Sequence, residues 1–247
     1  MEKKVALVTG GTGGIGTAIC QSLEKSNHTV VAAYFKNGDH AAAKHWQQQQ
    51  QSEGYDIHIN YANLCSYTEC QSLTSQIIEQ FGRIDVLVNN AGRISDSAFK
   101  KMSDTQWKEV IDNNLNSVFN LTRHVINTMI ENNFGRIINI SSINGHKGQF
   151  GQCNYSASKS ALYGFTKSLA LEVAKHGITV NSVSPGYIKT AMLENVSPEI
   201  LDKIINNIPV KRLGKVEEVA RLVEFLVDEK SAFITGSDFS INGGQYM

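Results

Sequence analysis

Tyr155 and Lys159 stand four residues apart in the run Asn154-Tyr155-Ser156-Ala157-Ser158-Lys159. On a helix that spacing projects both side chains from one face, so a phenol and an ammonium can share one site. An unperturbed tyrosine ionises near pH ~10, and a cation about 4 Å away favours the phenolate by roughly 4 kcal/mol at an effective dielectric of about 20. The pair can then exchange a proton near neutral pH. Two further polar groups keep it company. Ser142 ends a β-branched run 13 residues upstream of Tyr155, and Asn114 stands in the helix-like segment Asn113-Asn114-Leu115-Asn116-Ser117.

A second constellation lies near the start of the chain. The apolar run Val5 to Thr9 leads into Gly10-Gly11-Thr12-Gly13-Gly14-Ile15-Gly16 and then an amphipathic segment. A strand, a glycine-rich turn and a helix start place backbone N–H groups where a phosphate can sit, so Gly10, Gly13, Gly14, Ile15 and Gly16 are expected to cradle a dinucleotide. About 20 residues further on, such folds place an acid on the adenosine ribose when the cofactor is NAD. Here the second strand ends Ala33-Tyr34-Phe35-Lys36-Asn37 without an acid, and His40 follows. Lys36 is positioned to pair with a ribose 2′-phosphate, which favours NADP(H).

These residues need a scaffold. Strand-like runs recur at Val5–Thr9, Thr29–Ala33, Ile57–Asn60, Ile84–Val88, Arg136–Ser141, Ile178–Ser184 and Phe239–Ile241. Several are apolar on both faces, as in a parallel sheet covered on each side. Amphipathic helices are expected over Ile15–Asn27, Thr105–Asn132, Asn154–His176 and Val216–Asp228, from apolar spacings of three and four. The alternation specifies an α/β fold: a single-domain, Rossmann-type, doubly wound parallel sheet of about seven strands with helices on both faces, spanning residues 1–247. In such sheets ligands bind beyond the carboxyl ends of the strands, so Ser142, the Gly10 loop and the turn Asn89-Asn90-Ala91-Gly92 should converge on one crevice. The Gln47–Gln51 run reads as a solvated helix face. Residues 190–209 break the rhythm after Pro185-Gly186 and are expected to form a mobile flap.

Composition narrows the setting. The 247 residues carry 23 Lys+Arg against 23 Asp+Glu, so no basic excess draws nucleic acid or anionic membrane, and neither is expected as a partner. No apolar stretch reaches the ~18 residues of a membrane span, and Met1–Val8 is too short an apolar lead for a signal peptide. Cys20, Cys65, Cys70 and Cys153 lack the paired spacing of a zinc site. No metal is expected, and free thiols fit a reducing cytoplasm.

Taken together, Thr9 to Gly16, Asn89 to Gly92, Asn114, Ser142, Tyr155, Lys159 and Pro185-Gly186 resemble the short-chain dehydrogenase/reductase family over nearly the whole chain. The resemblance implies that Tyr155 is the general acid, that Ser142 orients and polarises the carbonyl, and that Lys159 holds the nicotinamide ribose and lowers the Tyr155 pKa. It implies that Asn114 holds a water of a proton relay. Asn90, Ala91 and Gly92 would line the cofactor cleft, and Pro185, Gly186, Ile188 and Thr190 would meet the nicotinamide end. Asn63 and Leu64 would lie by the adenine, Asn63 replacing the aspartate of many relatives.

Within that family, Gly145 to Tyr155, Ser184 to Tyr187 and Ser237 to Gly244 resemble the acetoacetyl-CoA reductases of polyhydroxybutyrate synthesis. That implies NADPH-dependent reduction of an acyl-CoA. Gln149, Phe150, Gln152 and Tyr187 would surround the acyl chain, with Asp96 and Lys101 towards the pantetheine arm. Two other readings stay open: reduction of a thioester on acyl carrier protein, with Arg123, His124 and Lys167 as candidate basic groups, and a cofactor-sensing regulator without turnover. Relatives of this kind imply a homotetramer built through the helices after Thr105 and Asn154 and through the C-terminal region.

Overall fold

The computed structural model describes residues 3–35, 38–190 and 197–247. Seven strands form one parallel sheet: β1 Lys4–Thr9, β2 His28–Tyr34, β3 Ile57–Tyr61, β4 Val86–Asn89, β5 Gly135–Ile140, β6 Ile178–Pro185 and β7 Asp238–Ile241. Their order is β3-β2-β1-β4-β5-β6-β7. The direction of winding reverses between β1 and β4, and the crevice opens there, beyond Thr9 and Asn89.

The β1 sequence shows why both faces are covered. Ala6 and Val8 point to one side and pack with Val30, Ala32, Val86, Val88 and Ile138 under α1 (Gly14–Lys25) and α9 (Val216–Val227). Val5 and Leu7 point to the other and pack with Val31, Leu87, Ile137 and Val180 under α3 (Tyr67–Phe81), α5 (Ser117–Glu131) and α7 (Cys153–Val173). A strand buried on both sides cannot alternate polar with apolar residues. That is why these runs are continuously apolar.

The helix expected over Thr105–Asn132 forms without a gap but carries a π-helical turn in its middle. Ser103 and Gln106 form a capping box at the start of α4 (Asp104–Ile111), a π-helical turn follows at Asp112–Asn116, and α5 then begins at Ser117. Two of the helices that apolar spacing does not predict flank β3. The polar helix α2 (His40–Ser52) contains the glutamine run, of which only Gln50 is buried, accepting from Gln21 at 2.8 Å. The other is α3, begun by Ser66 as N-cap and ended by Gly82 at φ 80°. Part of the expected flap is helical: α8 spans Pro198–Asn206, while residues 191–196 lie outside the described residues. The short α6 (Ile143–Lys147) follows β5 directly.

At the N-terminal ends of the strands, opposite the crevice, Arg136 is buried at 2% exposure. Its guanidinium donates to the carbonyls of Gly135 (2.8 Å), Gly177 (3.0 Å), Asp228 (3.4 Å) and Glu229 (3.4 Å), and it lies over the Phe134 ring. Lys4 pairs with Glu229 beside it. Among the described residues no helix is long and apolar enough to cross a membrane.

Candidate active site

The glycine loop is shaped by contacts that side chains would break. Gly10 adopts φ +60°, and a Cβ on Gly16 would lie 2.1 Å from the Gly10 carbonyl oxygen. Thr9 Oγ1 accepts from the N–H groups of Asn90 (2.9 Å) and Ala91 (3.0 Å), and Asn90 Nδ2 donates back to the carbonyls of Thr9 (2.9 Å) and Gly10 (3.2 Å). The β1 and β4 loops are thereby locked together. Helix α1 starts at Gly14 with Gly13 as N-cap, no side chain capping it and no acid in its first turn. Uncapped N–H groups over exposed Gly13 and Gly14 are what a pyrophosphate needs, so these residues fit a dinucleotide. Across the crevice, Thr190 Cγ2 lies 3.1 Å from where a Gly14 Cβ would be, closing the loop's far side.

Lys159 and Asn114 meet at Gly92. A Cβ there would stand 3.2 Å from Asn114 Oδ1 and 3.4 Å from Lys159 Nζ. The π-helical turn carries Asn114 inward, fully buried, where Oδ1 accepts from the Arg93 N–H (2.8 Å) and Nδ2 donates to the Arg93 carbonyl (3.0 Å) and Ser158 Oγ (3.1 Å). Its amide therefore ties the loop after β4 to α7. Lys159 is buried too, and Nζ donates to the Ile140 carbonyl at 2.8 Å.

The electrostatics differ from the expectation that Lys159 acidifies Tyr155. Nζ sits 5.7 Å from the Tyr155 ring centroid, and burial lowers the Lys159 pKa from 10.5 to about 8. For Tyr155, burial raises the pKa above its usual 10, against a hydrogen bond with Ser142 that lowers it, while the Asp96 charge raises it further. Desolvation of the phenolate outweighs an ammonium that is itself desolvated and committed to a backbone carbonyl. Tyr155 is therefore held protonated, ready to give a proton rather than to take one.

Ser142 caps α6, its Oγ accepting from the Asn144 N–H at 3.1 Å. Gln152 accepts from Asn144 Nδ2 (2.9 Å) and donates through Nε2 to Asp96 (2.8 Å). Asp96 also raises the pKa of half-buried Tyr187, second to the effect of burial, so Asp96, Gln152, Tyr155 and Tyr187 share one side of the crevice. Phe150 is 90% exposed, Gln149 is exposed beside it, and Lys101 ends an exposed turn at Phe99–Lys101. Tyr187 and buried Ile188 line an adjoining cavity with Ile208 and Val210, so the end of the 190–209 segment borders the substrate side.

At the adenosine end, His40 Nδ1 meets the Tyr34 hydroxyl at 2.8 Å at the end of β2. Asn63 Oδ1 accepts from the Cys65 N–H, and the Leu64 carbonyl accepts from Asn120. Pro185 ends β6, and Gly186 packs so closely that a Cβ would lie 2.9 Å from Asn242 Cα. Lys36 and Asn37 lie outside the described residues.

Two residues near the chemistry went unnoticed in the sequence. Asn154 is fully buried, donates to the carbonyls of Ser95 (3.0 Å) and Gln106 (3.1 Å), and accepts from the Tyr155 N–H (2.8 Å), fixing the start of α7. Tyr163 touches the Ser142 carbonyl, and its signal was present: 155, 159 and 163 fall on one helical face.

Residues 4–201 match the model of the short chain dehydrogenase family. The chain is 48% identical over 247 residues, the full length of both, to an acetoacetyl-CoA reductase of Cupriavidus necator. It is 48% identical over 244 residues, 99% of each, to an acetoacetyl-CoA reductase of Allochromatium vinosum. A 3-oxoacyl-[acyl-carrier-protein] reductase of Buchnera aphidicola subsp. Baizongia pistaciae is 39% identical over 245 residues, 99% of this chain and 98% of its own.

Proposed function

Since this chain belongs to the short-chain dehydrogenase family, we propose that it reduces acetoacetyl-CoA to (R)-3-hydroxybutyryl-CoA with NADPH. The observation that carries the chemistry is a phenol kept protonated by burial, hydrogen-bonded to Ser142, on the same helix face as a buried lysine. When bound, the dinucleotide supplies the hydride. The chain's own groups handle the oxygen: Ser142 donates to the ketone oxygen and orients it, and Tyr155 gives its proton to that oxygen as negative charge grows there. Lys159 would hold the nicotinamide ribose, and Asn114, beside it at Gly92, would bring a water to the relay that reprotonates Tyr155. Gly10, Gly13 to Gly16, Asn90 to Gly92, Pro185, Gly186, Ile188 and Thr190 would hold the rest of the cofactor, with Asn63 and Leu64 by the adenine.

The substrate reading rests on 48% identity to acetoacetyl-CoA reductases along the whole chain, against 39% to the carrier-protein reductase. Gln149, Phe150, Gln152 and Tyr187 would flank the short acyl chain, with Asp96 and Lys101 towards the pantetheine. The segment 190–209 would close over it as a flap of the single domain 1–247. NADP(H) is favoured because β2 ends without an acid and is followed by Lys36, Asn37 and His40. A homotetramer is in keeping with exposed Phe119 on α5 and Leu171 on α7, and its place would be the cytoplasm, where the four thiols stay reduced.

Assay of purified protein by loss of NADPH absorbance with acetoacetyl-CoA and with the carrier-bound substrate tests the whole reading. CoA substrate should be preferred; a strong preference for the carrier-bound thioester would overturn it. Tyr155→Phe should lose about 100-fold or more in turnover with cofactor binding mostly kept, and unchanged turnover would remove Tyr155 from its role. Lys36→Ala should weaken NADPH far more than NADH; equal losses would show that Lys36 does not read the 2′-phosphate.

A further inference from the structure

Behind Ser142 lies a polar cluster that the reaction as described does not use. The Tyr163 hydroxyl donates to the Ser142 carbonyl at 2.8 Å and touches Ser184 Oγ at 3.2 Å. Ser184 and Ser182, both on β6, donate to Asp238 Oδ1 on β7, and Asp238 Oδ2 meets His146 Nε2 at 2.8 Å. The His146 ring stacks on Tyr163, with centroids 4.2 Å apart and planes 12° from parallel, and on Tyr246 at 5.5 Å and 8°. Elements α6, α7, β6, β7 and the C-terminal turn meet in this cluster.

Counting protons gives the cluster a direction. A backbone carbonyl and a carboxylate only accept, so the Tyr163 proton goes to Ser142, the Ser182 proton goes to Asp238, the Ser184 proton is shared between Asp238 Oδ1 and the Tyr163 hydroxyl oxygen, and His146 must carry its proton on Nε2. Burial, chiefly, and the neighbouring Asp238 and Tyr246 raise the Tyr163 pKa, so Tyr163 keeps its proton and remains a donor. His146 from α6, Asp238 from β7, Tyr246 from the C-terminal turn and Tyr155 from α7 itself are the titratable groups facing it among the described residues. The Ser142 carbonyl accepts a second bond from the Gly145 N–H at 2.9 Å. Two donors converging on one carbonyl fix the plane of the Ser142–Ile143 peptide, and that plane sets where the Ser142 side chain points. No slack is left beneath it: a Cβ on Gly145 would lie 2.8 Å from the Tyr163 hydroxyl oxygen and 3.0 Å from the α7 backbone.

We propose that Tyr163 is a positioning residue for the reduction, its hydroxyl holding the Ser142 peptide so that the serine side chain faces Tyr155, with Ser184, Asp238 and His146 steadying that hydroxyl. The inference rests on the assignment of Ser142 and Tyr155 above. It makes β7 and the C-terminal turn part of the catalytic apparatus, although neither carries a group that touches the substrate.

Tyr163→Phe keeps the ring against His146 and deletes only the hydroxyl. With NADPH and acetoacetyl-CoA, turnover should fall about tenfold while the KM for NADPH stays within about twofold. The alkaline limb of the turnover profile, which reports loss of the Tyr155 proton, should move to higher pH, because weakening the Ser142 hydrogen bond that lowers the Tyr155 pKa outweighs removing the smaller Tyr163 influence that raises it. Unchanged turnover overturns the inference, and so does a fall in turnover with the limb unmoved. If Tyr163→Phe does not fold, Ser184→Ala decides: it should lower turnover and move the limb in the same direction by a smaller amount, and no movement overturns the inference. Ser142→Ala is measured alongside. Full turnover in that variant overturns the catalytic assignment and this inference with it, whereas near-complete loss there beside wild-type behaviour in Tyr163→Phe overturns the positioning role alone.

Discussion

Replacing Lys159 with methionine should make the protein more stable and less active. Its buried ammonium has a pKa lowered from 10.5 to about 8, with burial as the cause, and that difference corresponds to about 3 kcal/mol against the folded state at neutral pH. Methionine has similar length and carries no charge to desolvate. The substitution also strips the Ile140 carbonyl of its 2.8 Å partner, a loss of ~1–3 kcal/mol. The balance is a gain of about 1 kcal/mol, seen as a melting temperature higher by ~2–4 °C in a chain of this size.

The pH dependence makes the test stringent. Below pH 8 the lysine is protonated in both folded and unfolded chains, and the folded state bears the full burial penalty. Between pH 8 and 10.5 the folded chain has released the proton and the unfolded chain still holds it, so wild-type stability climbs with pH relative to the variant. The advantage of Lys159→Met should therefore be gone within about one pH unit above 8 and be reversed, to a deficit of about 2 kcal/mol, by pH 10.5. Equilibrium denaturation of both proteins without cofactor, at one protein concentration and several pH values, measures the difference. A variant less stable than wild type at pH ~7, by a margin that does not change with pH, would refute the reasoning.

Two glycine-loop neighbours give contrasting tests. Thr9→Val is isosteric, but leaves the Ala91 N–H without its acceptor, and the Asn90 N–H with the Val88 carbonyl alone, inside a loop lock whose threonine is 1% exposed; it should cost about 1–3 kcal/mol, read as a lowered denaturation midpoint. Gly13→Ala meets only the Gly10 carbonyl oxygen, at 3.4 Å, and Gly13 has φ −90°, so stability should stay within about 0.5 kcal/mol. Its methyl group would project where the pyrophosphate must approach, raising the NADPH dissociation constant at least about tenfold by fluorescence titration. An unchanged constant would show that the phosphates do not pass over Gly13.

Why so much of this was legible in the residues is physical. Strands buried on both faces must be apolar throughout, so runs such as Val5–Val8 and Val86–Val88 announce themselves, and a dinucleotide loop has few alternatives to glycine where a Cβ would strike the Gly10 carbonyl. Helix α2 shows only through its glutamine run because its mostly polar sequence offers little apolar periodicity, and the turn between α4 and α5 is hidden because Asn114 points inward on a π-helical turn that hydrophobic spacing does not encode. The site was legible as a set of residue types, while its charge balance was not. Whether an ammonium acidifies a phenol or is itself neutralised depends on how deeply both are buried, a property of the packed molecule. The four-residue spacing of 155, 159 and 163 puts Tyr163 on the face of the site, but its role depends on a backbone carbonyl that side-chain spacing does not reveal.

Arg136 has a consequence for synthesis. Its guanidinium is satisfied by carbonyls at Gly177, Asp228 and Glu229, and Glu229 also pairs with Lys4, so the first strand and the middle strand both await a segment translated almost last. A nascent chain emerging from the ribosome would leave Arg136 in water, and the α9 face of its sheet uncovered, until those last segments appear. Until then it is a natural client for chaperones, and the protein should fold after release from the ribosome rather than strand by strand.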